Sequence, residues 1–272
     1  MQMNANKALW EKGNFVRIAE TMRASGETLV AGLGISKGLR VLDLGCGDGT
    51  TAIPAARLGA DVLGVDIASN LVGAGNRRAA ALGFRNIRFQ EGDACDLHGI
   101  ESGSFDLVMS IFGAMFAPRP ADVAKAMVRV TRKGGRIVMG NWIPNDPTLV
   151  AQLLRISSAY APPPPEGFVS PMTWGIEENV IERFGGAGVP AERISFSRET
   201  YRFDYPGPSS AFVELFRTCY GPTMNAFDAA ARNGRENDLR AELEDLFARQ
   251  NTAKSDKSTS IPATFLRVTV SV

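Results

Sequence analysis

The sequence predicts an α/β fold: a parallel sheet with helices on both faces, joined to a helical cap. Three observations carry this reading. Short apolar runs alternate with helical stripes from residue 39 to about residue 140, glycines close the first run, and two further strand-like runs follow later in the chain. Crossover helices cover both faces of a parallel sheet, so its strands are apolar throughout instead of alternating. The 272 residues include 30 Lys or Arg and 29 Asp or Glu, and the formal charge of +1 gives no overall grip on nucleic acid or an anionic membrane. Cys46, Cys95 and Cys219 are too scattered for a disulfide framework and lack zinc spacing, and a single histidine, His98, excludes a multi-histidine metal centre. No apolar run follows Lys7, and none approaches the roughly 18 residues of a membrane span. The expectation is a soluble, reduced, cytoplasmic protein with no metal, no membrane span and no nucleic-acid partner. Nothing in the chain assigns an oligomeric state.

Residues 1–38 read as helices, because Phe15, Ile18, Ala19 and Met22 recur at helical spacing and Leu29 and Val30 continue after Gly26. Residues 39–44 form a short apolar run ended by glycines, a buried strand. A helix follows over 50–58, with Pro54 near its first turn and Gly59 at its end. Residues 61–66 are a second strand, and Ser69 opens a helix that runs to Leu82 and stops at Gly83. Residues 86–90 and 105–111 are the third and fourth strands. Val123, Met127 and Val130 mark a helix, Gly134 and Gly135 end it, and 136–140 is a fifth strand. Beyond Trp142 the sequence predicts a helix over 149–159, then four consecutive prolines at 162–165 that stiffen an extended segment. A helix over 176–184, a strand over 193–205, two helices over 209–251, an exposed loop over 254–260 and a last strand over 265–272 complete the reading. The division is a helical cap at 1–38, a core at 39–142, and a remainder at 143–272 with cap insertions at about 143–175 and 207–258.

The first strand runs into Asp43-Leu-Gly45-Cys46-Gly47-Asp-Gly49-Thr50. Glycines there let backbone approach a ligand, and the next helix points its N-terminus at the same place. In an open parallel sheet this is the carboxyl end of a strand, where ligands bind. Taken alone, the pattern also fits a tight turn that binds nothing. Asp66 ends the second strand, where a carboxylate accepts ribose hydroxyls or interacts with a helix dipole. Asp93, in Gly92-Asp93-Ala94 after the third strand, is placed to accept from an exocyclic amine or to make an ordinary turn.

Together these segments, with Val65-Asp66, Phe105-Asp-Leu-Val108 and Gly134-Gly-Arg136, resemble class I S-adenosylmethionine-dependent methyltransferases. The nearest likeness is to the ubiquinone/menaquinone-biosynthesis type and its small-molecule relatives, over about residues 39–142. Trp10–Phe15, Phe112–Pro118 and Tyr160–Pro165 share that likeness without carrying chemistry. The resemblance implies a Rossmann-like, seven-stranded, doubly wound sheet whose last strand is antiparallel. It implies S-adenosylmethionine as cofactor and S-adenosylhomocysteine as product. It implies that Asp43 and the turn through Gly45, Cys46, Gly47 and Gly49 hold the methionine part. Asp66 would take the ribose, Ile67 the adenine face, and Asp93 with Ala94 the adenine amine. Ser110 would offer backbone to the cofactor's amino group, with Trp10 and Phe15 closing over it.

A nicotinamide-dependent oxidoreductase is the rival on the same fold, but Thr50 stands where a dinucleotide fingerprint wants Gly or Ala. Strand four ends Ser110-Ile-Phe-Gly113, without the Pro-Pro-aromatic run that holds a flipped base. A non-catalytic S-adenosylmethionine-binding protein is the third reading. The expected acceptor is a small hydrophobic or aromatic molecule in a chamber drawn from Phe112, Met115, Phe116, Trp142 and Tyr160, with Phe168, Trp174, Phe212, Phe216 and Tyr220 as further aromatics. No general base is assigned. Tyr160, Tyr201, Tyr205 and Tyr220 are unranked, and His98 is placed at the adenine end, away from the chemistry. The N-terminal helices and the 162–165 prolines are expected to form a mobile cover.

Overall fold

The computed structural model describes residues 5–272, and the first four residues of the expected N-terminal helical region lie outside them. Three helices come first: α1 (Ala5–Glu11), α2 (Phe15–Glu20) and α3 (Arg23–Ala31). The alternation follows as β1 (Arg40–Leu44), α4 (Ala52–Arg57), β2 (Asp61–Asp66), α5 (Ser69–Ala81), β3 (Ile87–Glu91), β4 (Phe105–Ile111), α6 (Pro120–Val130) and β5 (Thr131–Trp142). Then come α7 (Leu149–Tyr160), α8 (Glu177–Gly185), β6 (Ile194–Tyr205), α9 (Ser209–Cys219), α10 (Gly221–Arg232), α11 (Glu236–Gln250) and β7 (Thr259–Ser271).

The seven strands form one sheet in the order β3-β2-β1-β4-β5-β7-β6. β1 pairs in parallel with β2 and β4, and β7 runs antiparallel to both β5 and β6. The last strand is therefore the reversed one, as expected. Val41, Leu42 and Leu44 of β1 are wholly buried, which a central strand covered on both faces demands. Pro120 opens α6 at its first turn, and Val123, Met127 and Val130 turn one buried face to the sheet.

Three boundaries differ from the expectation. α6 ends at Val130 and β5 starts at Thr131, five residues early, so Gly134 and Gly135 lie inside the strand, where its extra residues bulge against β4 between the pairs Phe105–Thr131 and Leu107–Arg136. Residues 209–251 hold three helices, because Pro222 starts a new first turn directly after Tyr220. β7 starts at Thr259, six residues early, because it pairs with β6 along its whole length while β5 reaches it only from Phe265 onward. Pro262 is tolerated there because one side of β7 is an open edge at that point.

Candidate active site

A crevice of about 910 Å³ opens at the carboxyl ends of β1, β2 and β4. Its floor is the glycine turn after β1. Gly45 has φ +69°, and a Cβ there would lie 2.6 Å from the Gly113 Cα, so the turns after β1 and β4 touch backbone to backbone. The N–H groups of Gly45 and Cys46 donate to the Val65 carbonyl at 2.7 and 3.2 Å. Asp66 locks the turn from the other side, accepting from Gly47 N at 2.8 Å and Ala68 N at 2.9 Å. Burial raises the Asp66 carboxyl above its ordinary range, and these backbone donors oppose the rise. A carboxylate has about four acceptor positions, so Asp66 keeps acceptor capacity beyond those two bonds.

Asp43 lies buried directly behind the crevice wall. Its Oδ2 accepts from Thr51 Oγ1 at 2.6 Å, while its Oδ1 has no partner among the described residues. Burial, together with the nearby Asp66 charge and against the bond from Thr51, pushes the Asp43 carboxyl up to about 7. Such a group is stabilised in its charged form by a cation or an N–H donor brought into the crevice. Asp48, also buried, pairs with Arg23 of α3 at 2.7 Å, tying the cap to the turn. Gly26 of α3 packs where a Cβ would come within 2.9 Å of the Tyr201 hydroxyl and 2.7 Å of Thr50 Cγ2.

α1 is held across the crevice beside the carboxyl ends of β2 and β3 by polar contacts. Lys7 donates to the Ile67 carbonyl at 3.0 Å and to Glu91 at 2.7 Å, and Glu11 accepts from the Ser69 N–H and hydroxyl at 3.0 and 2.6 Å. The Ser69 hydroxyl, then Lys7, pull the Glu11 carboxyl down to about 2. Trp10 and Phe15 thereby line the crevice.

Behind these two rings lies a second cavity of about 380 Å³. Trp10, Phe15, Met22, Phe112 and Phe116 are walls of both spaces, so the carboxylate-bearing crevice and the apolar chamber are neighbours across a largely aromatic partition. Trp10 meets Phe116 edge-on at 4.9 Å and Phe15 at 5.6 Å. Phe112 has φ +60°, a left-handed conformation that is strained for a bulky residue. It is held there by its N–H bond to the Gly140 carbonyl and by stacking on Trp142 at 3.6 Å. Trp142, Val150, Leu153, Phe203, Phe216 and Tyr220 close the chamber.

Of the residues expected from sequence, Trp10, Phe15, Gly45, Cys46, Gly47, Asp66, Ile67, Asp93 and Ala94 line the crevice, and Phe112 and Phe116 line both spaces. Asp43, Gly49 and Ser110 stand behind the wall. The Ser110 hydroxyl donates to Leu44 O at 2.6 Å and accepts from Ala114 N at 2.9 Å, so the wall after β4 is formed by residues 111–114. Met115 is buried away from both spaces. Tyr160 lies elsewhere too: it donates to Glu242 at 2.6 Å beneath the Arg235 guanidinium and lines a separate depression with Pro162. The prolines at 162–165 are exposed and line neither space, so they are not part of a cover, because the chain leaves α7 on the side of α10 and Arg235. Phe168 is exposed, Trp174 packs on Phe184, and Phe212 packs between Tyr205 and Phe247.

Two tyrosines that sequence left unranked are set apart by the structure. Tyr201 of β6 lines the crevice, edge-on to Phe112 at 5.0 Å, and Tyr220 lines the chamber. No local pattern marks either one; strand alternation and helix ends look the same with a core tyrosine. His98 is exposed and lines neither space. His98→Ala should therefore keep turnover within about tenfold of the parent, less than the 10²–10⁴-fold typical of losing a general base. A hundredfold loss of kcat with cofactor affinity intact would make His98 catalytic.

Comparison with known proteins agrees with this fold. A methyltransferase-domain family model matches residues 42–139. An uncharacterized protein of Mycobacterium bovis is 34% identical over 227 residues, covering 83% of this chain and 80% of the relative. A ubiquinone biosynthesis O-methyltransferase of Albidiferax ferrireducens is 37% identical over 98 residues, covering 36% of this chain and 39% of its own length. Among solved structures, the YcgJ protein of Bacillus subtilis aligns with a TM-score of 0.58 at 19% identity, over 91% of this chain and 98% of its own. The phosphoethanolamine N-methyltransferase 2 of Haemonchus contortus, in complex with phosphomonomethylethanolamine and S-adenosylhomocysteine, aligns with a TM-score of 0.57 at 16% identity, over 91% of this chain and 52% of its own. At these identities the structural likeness is one of fold. With the glycine turn, the strand order and the matched domain in agreement, the chain belongs to the S-adenosylmethionine-dependent methyltransferases.

Proposed function

We propose that the protein transfers a methyl group from S-adenosylmethionine to a small, largely apolar molecule held in the aromatic chamber. One observation carries the reading: a crevice that bears the Asp48, Asp66 and Asp93 carboxylates shares its aromatic partition with a chamber that bears none. The residues present fit the cofactor. The unpartnered Asp43 Oδ1 suits an ammonium donor, and the turn at Gly45–Gly47 leaves room for its methionine part. Asp66 would take the ribose hydroxyls, Ile67 the adenine face, and Asp93 with Ala94 the exocyclic amine. When bound, S-adenosylmethionine supplies a methyl group already activated on a sulfonium.

The chain's own contribution is position and dryness. Orientation of two reactants can supply roughly 7–11 kcal/mol of a barrier. Trp10, Phe15 and Phe116 separate the chamber from water while α1 stays in place. The three unpaired cysteines support a reduced, cytoplasmic setting, and no described helix is long and apolar enough to cross a membrane. The acceptor is read as a small molecule, not nucleic acid, in keeping with the formal charge of +1.

Two measurements test the reading. Incubation with S-adenosylmethionine and a panel of small apolar nucleophiles, followed by mass spectrometry, should give a product heavier by one methylene unit. Turnover confined to polar acceptors would overturn the apolar assignment. Hydrogen exchange with S-adenosylhomocysteine should slow across α1 and α2 and leave residues 161–170 unchanged. Equal exchange in α1 with and without the ligand would remove it from the cover.

A further inference from the structure

Among the described residues the chamber contains no titratable base. Its walls are aliphatic and aromatic, and the sole hydroxyl among them is that of Tyr220. No described residue hydrogen-bonds to that hydroxyl, and burial alone raises its pKa above the usual phenol value. It is therefore a neutral group at physiological pH, able to donate a hydrogen bond but not to remove a proton. The carboxylates around the neighbouring crevice are engaged: Asp48 by Arg23, Asp66 by Gly47 N and Ala68 N, and Asp93 by Cys95 N, while Asp43 stands behind the crevice wall, bonded by Thr51 and taken in the proposed complex by the cofactor's ammonium.

Building on the proposed methyl transfer, we propose that the acceptor is an apolar molecule bearing one oxygen or sulfur acid that ionises in water, and that Tyr220 positions its anionic atom. The anion's lone pair forms the new bond to the methyl carbon. The bond from that carbon to the S-adenosylmethionine sulfur breaks, and its electron pair stays on sulfur as a thioether. The anion and the sulfonium are both neutralised, and no proton moves, so a chamber without a base suffices. A matched alcohol would have to lose a proton to a group the chamber does not contain. Burying an anion among apolar walls is costly unless it is hydrogen-bonded and faces a cation. The Tyr220 hydroxyl supplies the first and the cofactor's sulfonium the second. Tyr220 contacts Trp10 and Phe15 at 6.1 Å between ring centres, which puts it beside the partition, the side from which the methyl must come. Trp142, Leu153, Phe203 and Phe216 remain for the apolar body.

Trp10 and Trp142 line the chamber, so their fluorescence reports binding without turnover. Octanoate, 4-phenylbutyrate, octanol and methyl octanoate should be titrated into wild type and Tyr220→Phe, each with sinefungin present, an analogue that carries a cationic amine where the sulfonium methyl lies. The phenylalanine ring keeps the packing, and an unchanged S-adenosylhomocysteine affinity checks the fold. The expected result is that Tyr220→Phe weakens the two carboxylates about tenfold or more, the scale of a hydrogen bond to a charged group. Methyl octanoate should shift by less than about threefold. With S-adenosylmethionine, wild type should methylate the acids and not octanol. Equal carboxylate affinity in wild type and Tyr220→Phe, or methylation of octanol at the rate of octanoate, would overturn the proposal while leaving methyl transfer in the chamber standing. Failure of every member of the series to bind would overturn both.

Discussion

Asp66→Ala should weaken S-adenosylmethionine binding at least tenfold and lower the melting temperature. In the proposed complex the carboxylate accepts two ribose hydroxyls, and hydrogen bonds to a charged group are worth about 1.5–3 kcal/mol each. The same carboxylate also holds Gly47 N and Ala68 N, so alanine leaves two buried N–H groups without an acceptor. Each such loss costs about 1–3 kcal/mol. Binding and folding are therefore coupled at this residue, and Asp66→Asn separates them. Gly47 N and Ala68 N bond to different oxygens of Asp66, so the amide keeps an acceptor for one of these two N–H groups and loses the other, together with the charge that both ribose bonds need. Calorimetry should find Asp66→Asn nearer to wild type in stability than in affinity. Unchanged S-adenosylmethionine affinity in a folded Asp66→Ala protein would sink the ribose assignment. Tight NAD binding without S-adenosylmethionine binding would contradict the cofactor itself.

Binding of S-adenosylmethionine below pH 7 should release a proton, and Asp43→Asn should abolish that release. Burial, with the nearby Asp66 charge and against the bonds from Thr51 and the Ala52 N–H, places the Asp43 carboxyl at about 7 in the free protein. A cationic cofactor stabilises the ionised form and so lowers this value. Affinity should then rise as pH increases toward 7, by up to about tenfold per unit, and level off above it. For the free fold the sign is opposite. A carboxyl whose folded pKa exceeds its unfolded one binds more protons folded than unfolded, so its contribution to stability falls as pH rises from about 4 to 7. Calorimetry at pH 6.5 in two buffers of different ionisation enthalpy measures the release directly. Asp43→Asn should show no buffer dependence and an affinity at pH 7.5 lower by about tenfold or more. Equal heats in both buffers for the wild type would mean that Asp43 is already ionised.

What the sequence determined by itself lies where chemistry is local. Val41, Leu42 and Leu44 form a run with no polar alternative that a covered central strand requires, and the glycines at 45, 47 and 49 adopt the positive φ values their turn needs. Asp43, Asp66 and Asp93 were legible because each follows or ends a strand, and parallel pairing brings successive strand ends to one side of the sheet. The aromatic residues after residue 142 carried no such rule. Phe216 and Tyr160 both sit in apolar helices, yet one faces the chamber and the other bonds Glu242 on the far side of α7. Which face of a helix meets a cavity depends on packing against distant elements, and periodicity reports only that an apolar face exists. The tertiary structure alone decided that Arg23 of the cap would pair with Asp48 in the glycine turn. It also decided that Tyr201 would reach the crevice from an edge strand, because β7 inserts between β5 and β6 and turns the second half of β6 back toward α3. The contrast between a carboxylate-bearing crevice and an aromatic chamber follows from the same cause. It is made by side chains up to about two hundred residues apart, and no spacing along the chain encodes a distance of that kind.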